Sequence, residues 1–527
     1  MSQHLLSVEN LVVRLGDRKL VDNINFTIDP KETHALVGES GSGKSLSALS
    51  IMGLLGPGLY SEGVKSLNGV DLSLLNNEML QKYRGNDVGF VFQEPMTSLN
   101  PVHTIGQQVG EALYLHNRKI PRSQRREKVI ELLKLVNLPD PEQMVGAYPH
   151  SLSGGQRQRV MIAIAIANKP KLLIADEPTT ALDVTVAREI LDLLDRLKAE
   201  MGMGLLLITH DLNLVRRYAN SVSVMRYGHL VEQGSVEQVM QSPSHEYTKM
   251  LLDAEPTGAP VPVASNAPRV LSVDNLSVRY GGQKRLIGRS KRSVQALSNI
   301  NVKLQEGETL GIVGESGSGK STLAKTILGL QKGEGVISFL GTRVDQFTLR
   351  QWRPYRSQIQ FVFQDPYGSL SPRMSVFDIV AEGLRFHNKS LTNEQIRERV
   401  SKALQDVELP GDMTNRYAHE FSGGQRARIA LARTLILEPK LLILDEPTAA
   451  LDRQVQKQLI DLLREIQKER KLSYLFISHD LAVVKALSHR AIVLKSGHIV
   501  ESGTAEEIFM HPKEAYTQKL VTAAKMV

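Results

Sequence analysis

The chain has 527 residues, 42% hydrophobic and 23% charged, an ordinary composition for a globular protein large enough for more than one core. It contains no cysteine, which excludes disulfides, thiolate zinc sites and cysteine-ligated iron–sulfur clusters and points to a reducing compartment. A formal net charge of +8 over this length reads as a solvated surface with a mild basic bias.

No apolar run approaches the roughly 20 residues that a membrane-spanning helix needs. The longest candidates, such as Leu205 to Ile208, have strand length. Met1 to His4 show no basic block followed by an apolar one, so no signal peptide is expected.

In chain order, Leu6 to Val13 alternate like a half-buried strand. The apolar strand Ala35-Leu36-Val37 then runs into Gly38-Glu39-Ser40-Gly41-Ser42-Gly43-Lys44-Ser45, and Leu46 to Leu54 read as a helix. Further on come Gln93-Glu94-Pro95, then Ser153-Gly154-Gly155-Gln156 opening a helix from Gln156 to Ala167. The apolar strand Leu172 to Ala175 ends in Asp176-Glu177, and Leu206 to Thr209 end in His210-Asp211. Residues 253–269, rich in proline and alanine, read as a semi-extended linker between domains 1–252 and 270–527.

Beyond the linker the order repeats. Leu271 to Tyr280 are strand-like, and Gly311-Ile312-Val313 lead into Gly314-Glu315-Ser316-Gly317-Ser318-Gly319-Lys320-Ser321-Thr322 with a helix expected from Thr322 to Leu330. Gln364, Ser422-Gly423-Gly424-Gln425, Asp445-Glu446 and His479 follow in register. The repeat unit is domain-sized, so this is a duplicated domain and not a solenoid. The first copy differs by a short insertion from Gly56-Pro57-Gly58-Leu59 onward. Strands alternating with helices imply an α/β fold with a largely parallel central sheet.

Strand, glycine-rich loop and helix in this order form a phosphate-binding P-loop. The glycines let the backbone curl so that amides face phosphate oxygens, and the helix start adds partial positive charge. Lys44 and Lys320 are expected on the β- and γ-phosphates of ATP, and Ser45 and Ser321 on Mg²⁺. Asp176 and Asp445 are expected to hold Mg²⁺, and Glu177 and Glu446 to polarise the attacking water.

Ser-Gly-Gly-Gln between the P-loop and the acidic strand resembles the signature of ATP-binding-cassette (ABC) ATPases, and nearly the whole chain follows that family's order. The resemblance implies two P-loop nucleotide-binding domains in tandem, each with a helical signature subdomain. It matches Gln93 and Gln364 to the Q-loop, as nucleotide and Mg²⁺ contacts, and Asp183 and Asp452 to the D-loop. His210 and His479 match the switch histidine, with a catalytic role. It also implies that Ser153, Gly154, Gly155 and Gln156 serve the ATP held by Lys320. Ser422, Gly423, Gly424 and Gln425 would serve the ATP held by Lys44. Tyr280 matches the family's adenine-stacking aromatic, whereas Leu15 stands there in the first copy, with Arg14 as an alternative partner for the base. Phe421 precedes the second signature where the first has Leu152.

Gln93 to Pro101 and Gln364 to Pro372 resemble the paired ATPase subunits of bacterial oligopeptide, dipeptide and nickel importers, fused as in microcin C/peptide importers. Each copy ends in a weak form of that family's His-Pro-Tyr-Thr tail, at His245 to Thr248 and at His511 to Thr517. The implied partners are two membrane permeases and a periplasmic solute-binding protein, with no nucleic acid. The implied location is the cytoplasmic face of the inner membrane.

A rival reading is a soluble tandem ABC ATPase acting on ribosomes or DNA. The short proline- and alanine-rich linker and the missing zinc cysteines argue against it. The basic segment Lys284 to Arg292 reads as an exposed loop between strands.

Overall fold

The computed structural model describes residues 4–524 apart from 181, 255, 282–292 and 450. The basic segment Lys284 to Arg292 therefore lies outside the described residues. The chain divides into two compact units, Met1–Ala254 and Glu255–Lys525.

In the first unit a six-stranded sheet runs in the order His229–Ser235, Ser221–Arg226, Thr33–Val37, Gly204–Thr209, Leu172–Asp176, Val88–Val91. All neighbours pair in parallel except the antiparallel edge strand His229–Ser235. Both faces of the sheet are covered, so its central strands are buried at every residue and mostly apolar. Side chains alternate between two cores. Leu172, Ile174, Leu206 and Ile208 join the core under the N-terminal strands. Leu173, Ala175, Leu205 and Leu207 join the core under the helices.

The N-terminal strands form a separate antiparallel sheet, ordered Arg18–Ile28, Leu6–Leu15, Leu59–Leu67, Val70–Asp71. On the other side, the helices Ile105–His116, Arg122–Leu135 and Gly154–Ala165 pack through Val109, Leu113, Val129, Leu133, Val160 and Ile162. This is the helical subdomain that the family resemblance implies.

The second unit repeats the plan. Its six-stranded sheet is ordered Ile359–Val362, Leu441–Asp445, Ser473–Ile477, Thr309–Val313, Arg490–Lys495, His498–Thr504. Its helical subdomain contains Val376–His387, Asn393–Gln405 and Gly423–Leu435.

Helix boundaries depart from the sequence-based expectation at the functional loops. The phosphate-loop helices span Lys44–Ile51 and Lys320–Ile327, earlier than the expected Leu46 to Leu54 and Thr322 to Leu330. Gly43 and Gly319 take left-handed backbone angles (φ 105° and 112°) and serve as N-caps, so the helix begins at the lysine itself. The signature helices likewise begin at Gly154 and Gly423, because Ser153 and Ser422 cap them.

The proline- and alanine-rich segment is laid on the second unit. Arg464 donates to the Thr257 carbonyl, and His489 Nε2 lies 2.6 Å from the Val261 carbonyl while its Nδ1 accepts from the Thr309 amide at 2.9 Å. The segment thus has partners along its length, although it has no core of its own.

Candidate active sites

The loop Gly38 to Gly43 leaves the carboxyl end of Thr33–Val37, a strand flanked on both sides by parallel neighbours. Ligands of open α/β sheets gather at such an edge. Lys44 is only 5% exposed, and its ammonium donates to the carbonyls of Gly38 at 2.7 Å and Glu39 at 2.8 Å. Lys320 does the same to Gly314 and Glu315, at 2.7 and 3.0 Å. A buried cation needs such partners. The effect is to hold the ammonium inside the ring of loop amides, beside the place where phosphate would sit.

Ser45 donates to Asp176 Oδ1 at 3.0 Å, and Ser321 to Asp445 Oδ1 at 3.2 Å. A cation of the magnesium type fits these donors, since hydroxyl and carboxylate oxygens are hard ligands. Among the described residues no group of three or more His, Asp or Glu side chains could hold a metal alone.

The strand carrying Asp176 then turns sharply. Glu177 and Glu446 have left-handed backbone angles, φ 44° and 49°, unusual for a residue with a side chain. Their amides donate back to Ile208 at 3.0 Å and Ile477 at 2.8 Å, which locks the turn to the adjacent strand. Each glutamate is thereby aimed at a fixed set of partners. Gln93 Nε2 donates to Glu177 at 2.9 Å, Thr180 Oγ1 donates at 2.8 Å, and His210 Nδ1 lies 3.3 Å away. Gln364 donates to Glu446 at 2.7 Å, and His479 Nδ1 lies 3.3 Å from it. Both glutamines expected as Mg²⁺ ligands are therefore on the glutamates in this structure, not on the serine–aspartate pair.

The adjacent carboxyls are driven apart. Burial raises Asp176 to about 6, and the neighbouring Glu177 charge adds to this against the Ser45 hydrogen bond. Burial also opposes ionisation of Glu177, but His210, Thr180 and Lys44 overcome it and lower the carboxyl to about 2. Asp445 is raised and Glu446 lowered in the same way. One acid of each pair is thus favoured as the charged carboxylate, and the other is held in surroundings that disfavour its charge.

The sequence motifs alone do not single out Thr180. Aligning the two copies would have flagged it, because Ala449 stands at the matching place.

In the signatures, Ser153 and Ser422 each accept the amide of the glutamine three residues on at 3.3 Å. Gln156 and Gln425 return the bond to the serine amides at 2.9 and 3.1 Å. These reciprocal capping boxes occupy the glutamines as helix starters. The second glycine has a steric reason. A Cβ at Gly155 would lie 2.4 Å from Val186, and one at Gly424 would lie 2.5 Å from Val455. Val186 and Val455 sit in the first turn of the helices that Asp183 and Asp452 cap, so the signature helix and the D-loop helix are in closest contact there.

Leu15 and Tyr280 both end the strand expected to face adenine, and they are 51% and 39% exposed. The Tyr280 hydroxyl lies 3.4 Å from Thr322 Oγ1, beside the phosphate-loop helix. Arg14 is paired to Glu62 at 3.3 Å and, one residue before Leu15, points to the opposite face of the sheet. Tyr60, from the strand that follows the first-copy insertion, is opposite Arg14 and shares that face.

Comparison with known proteins agrees with this geometry. The ABC transporter family model matches residues 21–180 and 297–449. The chain belongs to the ABC transporter ATPase family. The model of the oligopeptide/dipeptide transporter C-terminal region matches residues 231–270 and 500–526. The chain is 50% identical to the peptidoglycan transport ATP-binding protein YejF of Agrobacterium fabrum, covering 99% of this chain and 97% of that one. It is 46% identical to an uncharacterized ABC transporter ATP-binding protein, YejF of Escherichia coli K12, over 99% of both chains. The glutathione import ATP-binding protein GsiA of the same organism is 42% identical, covering 99% of this chain and 89% of that one. This ABC transporter ATPase thus has full-length relatives described as transport proteins, which sides against the ribosome- or DNA-directed reading. Among its described residues no helix is long and apolar enough to cross a membrane.

The raised Asp176 generates a stability prediction for the ABC ATPase free of nucleotide and metal. Its carboxyl ionises near pH 4 when unfolded and at about 6 when folded, so the penalty on the folded state grows as pH rises from 4 to 6 and is complete above 6. Asp176→Asn should therefore stabilise the metal-free first unit at pH 8 by about 2–3 kcal/mol, at 1.36 kcal/mol per pKa unit. The gain should shrink as pH falls through 6 and vanish near 4. Thermal melts in a chelating buffer check this, and a gain independent of pH would show that the carboxyl is not destabilised by its surroundings.

Proposed function

We propose that this ABC ATPase is the motor subunit of a bacterial importer for peptides or peptide-like solutes of the microcin C type. In this reading it works at the cytoplasmic face of the inner membrane, bound to two permease subunits and served by a periplasmic solute-binding protein. The observation that carries the reading is the match of both cassette ends to the oligopeptide/dipeptide transporter C-terminal region. Two full-length relatives described as acting on peptidoglycan and on glutathione, both peptide-containing, support the solute class.

In each cassette Lys44 or Lys320 and the loop amides hold the phosphates. Ser45 with Asp176, and Ser321 with Asp445, are the residues that would hold Mg²⁺, which when bound neutralises phosphate charge. Glu177 and Glu446, kept ionised, orient and polarise the attacking water. His210 and His479 keep those carboxylates in place. Gln93 and Gln364, now on the glutamates, would release them when they turn to the nucleotide. The amides opening the signature helices offer positive partial charge to the γ-phosphate.

Affinity purification of the chain from gently solubilised membranes tests the assembly. Two permeases should come down with it, encoded with a solute-binding protein whose cargo is peptide-like. Recovery with ribosomes or DNA and without permeases would overturn the proposal.

Glu177→Gln and Glu446→Gln should each leave ATP binding within about twofold and slow hydrolysis at that site by a hundredfold or more. The amide keeps the shape but loses the charge that polarises water. Single-turnover assays with permeases present read this out, and wild-type hydrolysis in either variant would remove that glutamate from the mechanism.

The adenine face predicts unequal sites. An aromatic face contributes about 0.5–1.5 kcal/mol beyond burial, which at 1.4 kcal/mol per decade is roughly two- to tenfold in affinity. In a full chain whose second site is disabled by Lys320→Ala, Leu15→Tyr should tighten ATP binding by that factor. In a chain disabled by Lys44→Ala, Tyr280→Leu should weaken it equally. Titration with a fluorescent nucleotide decides, and affinities indifferent to both substitutions would sink the asymmetry.

A further inference from the structure

The tail tyrosine of each unit, so far only a family marker, reaches the phosphate loop of the same unit. Tyr247 is 1% exposed, and its hydroxyl accepts the Glu39 amide at 3.2 Å. Tyr516 is half-buried and accepts the Glu315 amide at 3.3 Å. The Glu39 N–H belongs to the peptide group whose carbonyl is that of Gly38, and the Gly38 carbonyl takes the Lys44 ammonium at 2.7 Å. One peptide plane is therefore gripped at both ends, by the tyrosine on the N–H and by the lysine on the C=O. The second unit repeats this through Gly314 and Lys320, at 2.7 Å.

The tyrosines have further partners. The Arg226 guanidinium lies 4.6 Å from the Tyr247 ring centroid, and the Lys495 ammonium 4.6 Å from that of Tyr516. Each tail helix is pinned at its start by a glutamate of the antiparallel edge strand. Glu232 accepts from the Ser244 amide at 2.7 Å, the Ser244 hydroxyl at 2.9 Å and the His245 amide at 3.2 Å. Glu501 accepts from the Lys513 and Glu514 amides at 2.9 and 3.2 Å. The cations over the rings and the residues around the pins differ between the units, yet the same strut results. The hydroxyl meets the same loop amide in both copies although its other neighbours differ.

We infer that Tyr247 and Tyr516 are positioning residues: each orients the first peptide of its phosphate loop, and through the carbonyl of that peptide the phosphate-binding lysine. This rests on the proposed phosphate-binding role of Lys44 and Lys320. The tail is then part of the nucleotide site, and the reading explains why a tyrosine follows the cassette at the same structural place in both copies. The tyrosine does not touch nucleotide. It sets the loop that does.

The test is calorimetric titration of the full chain with ADP and with adenosine, comparing wild type with the double variant Tyr247→Phe, Tyr516→Phe. Phenylalanine keeps the ring and removes only the acceptor. One neutral hydrogen bond corresponds to a factor of about three to ten in affinity. The ADP dissociation constant should rise by that factor, adenosine affinity should stay constant, and two sites should still titrate. A merely structural role would reduce the number of sites and leave the dissociation constant of the remainder unchanged. Hydrogen exchange gives a second readout, with the amides of Glu39 and Glu315 exchanging at least about tenfold faster without ligand once their acceptor is gone. Should the double variant not fold, Glu232→Gln with Glu501→Gln loosens the same strut while keeping the hydroxyls. It should raise the ADP constant in the same direction.

Wild-type ADP affinity and exchange in the folded variants would overturn the inference. The control Lys44→Ala, Lys320→Ala tests the underlying reading separately. If ADP then binds no better than adenosine, the phosphate role stands whatever the tyrosines do. If ADP affinity is unchanged, that role itself fails.

Discussion

The site depends on a strand buried on both faces that ends in two carboxylates. Leu172 to Asp176 has no exposed residue, so nothing on the strand can bring water to the acids at its tip. The two acids meet opposite fates because the backbone reverses between them. Asp176 stays in line with the strand beside Ser45, in surroundings that disfavour its charge. Glu177, with its left-handed backbone, is thrown out toward Gln93, Thr180 and His210, which favour its charge. A regular strand would have placed the two on opposite faces of the sheet, where they could not share one site.

That turn stores strain of the order of 1–3 kcal/mol, the usual range for a side-chain-bearing residue held at positive φ. It persists because the amide of the strained residue is bonded to the neighbouring strand and its carboxylate is bonded on several sides. The consequence is mechanical coupling. Moving Gln93 or His210 removes part of what holds Glu177, so the strained turn is the part of the site most responsive to its neighbours. The close approach of Gly155 to Val186 works in the same sense, since the signature helix cannot shift without pressing on the helix that follows the acidic turn.

The parts legible in the sequence were local ones. A P-loop occupies eight consecutive residues, the signature cap four, and the acidic strand end six, so their chemistry can be read without knowing the fold. The alternation of strands and helices likewise implied the parallel sheet. Helix starts were misplaced by a few residues, because the capping glycine and serine set them and the apolar pattern does not. Contacts between distant segments were invisible. Gln93 and Glu177 are 84 positions apart, and Tyr247 and Glu39 are 208 apart. The sequence contains both partners of each bond but nothing that pairs them.

Duplication helps separate what the chemistry requires from what it tolerates. The lysine with its two carbonyls, the serine–aspartate pair, the glutamate with glutamine and histidine, and the tyrosine strut all occur twice. Thr180 and Ala449 do not match, nor do Leu15 and Tyr280. Each difference touches a separate part of the proposed site: a donor to the Glu177 carboxylate in the first unit, and an aromatic at the end of the N-terminal strand in the second. Thr180 donates to Glu177 in the first unit, where the second has Ala449, and Tyr280 offers in the second a ring that Leu15 lacks in the first. In the proposed reading, how tightly each site binds its base and how firmly each acid is held would depend on independent residues, and either could change without disturbing the other.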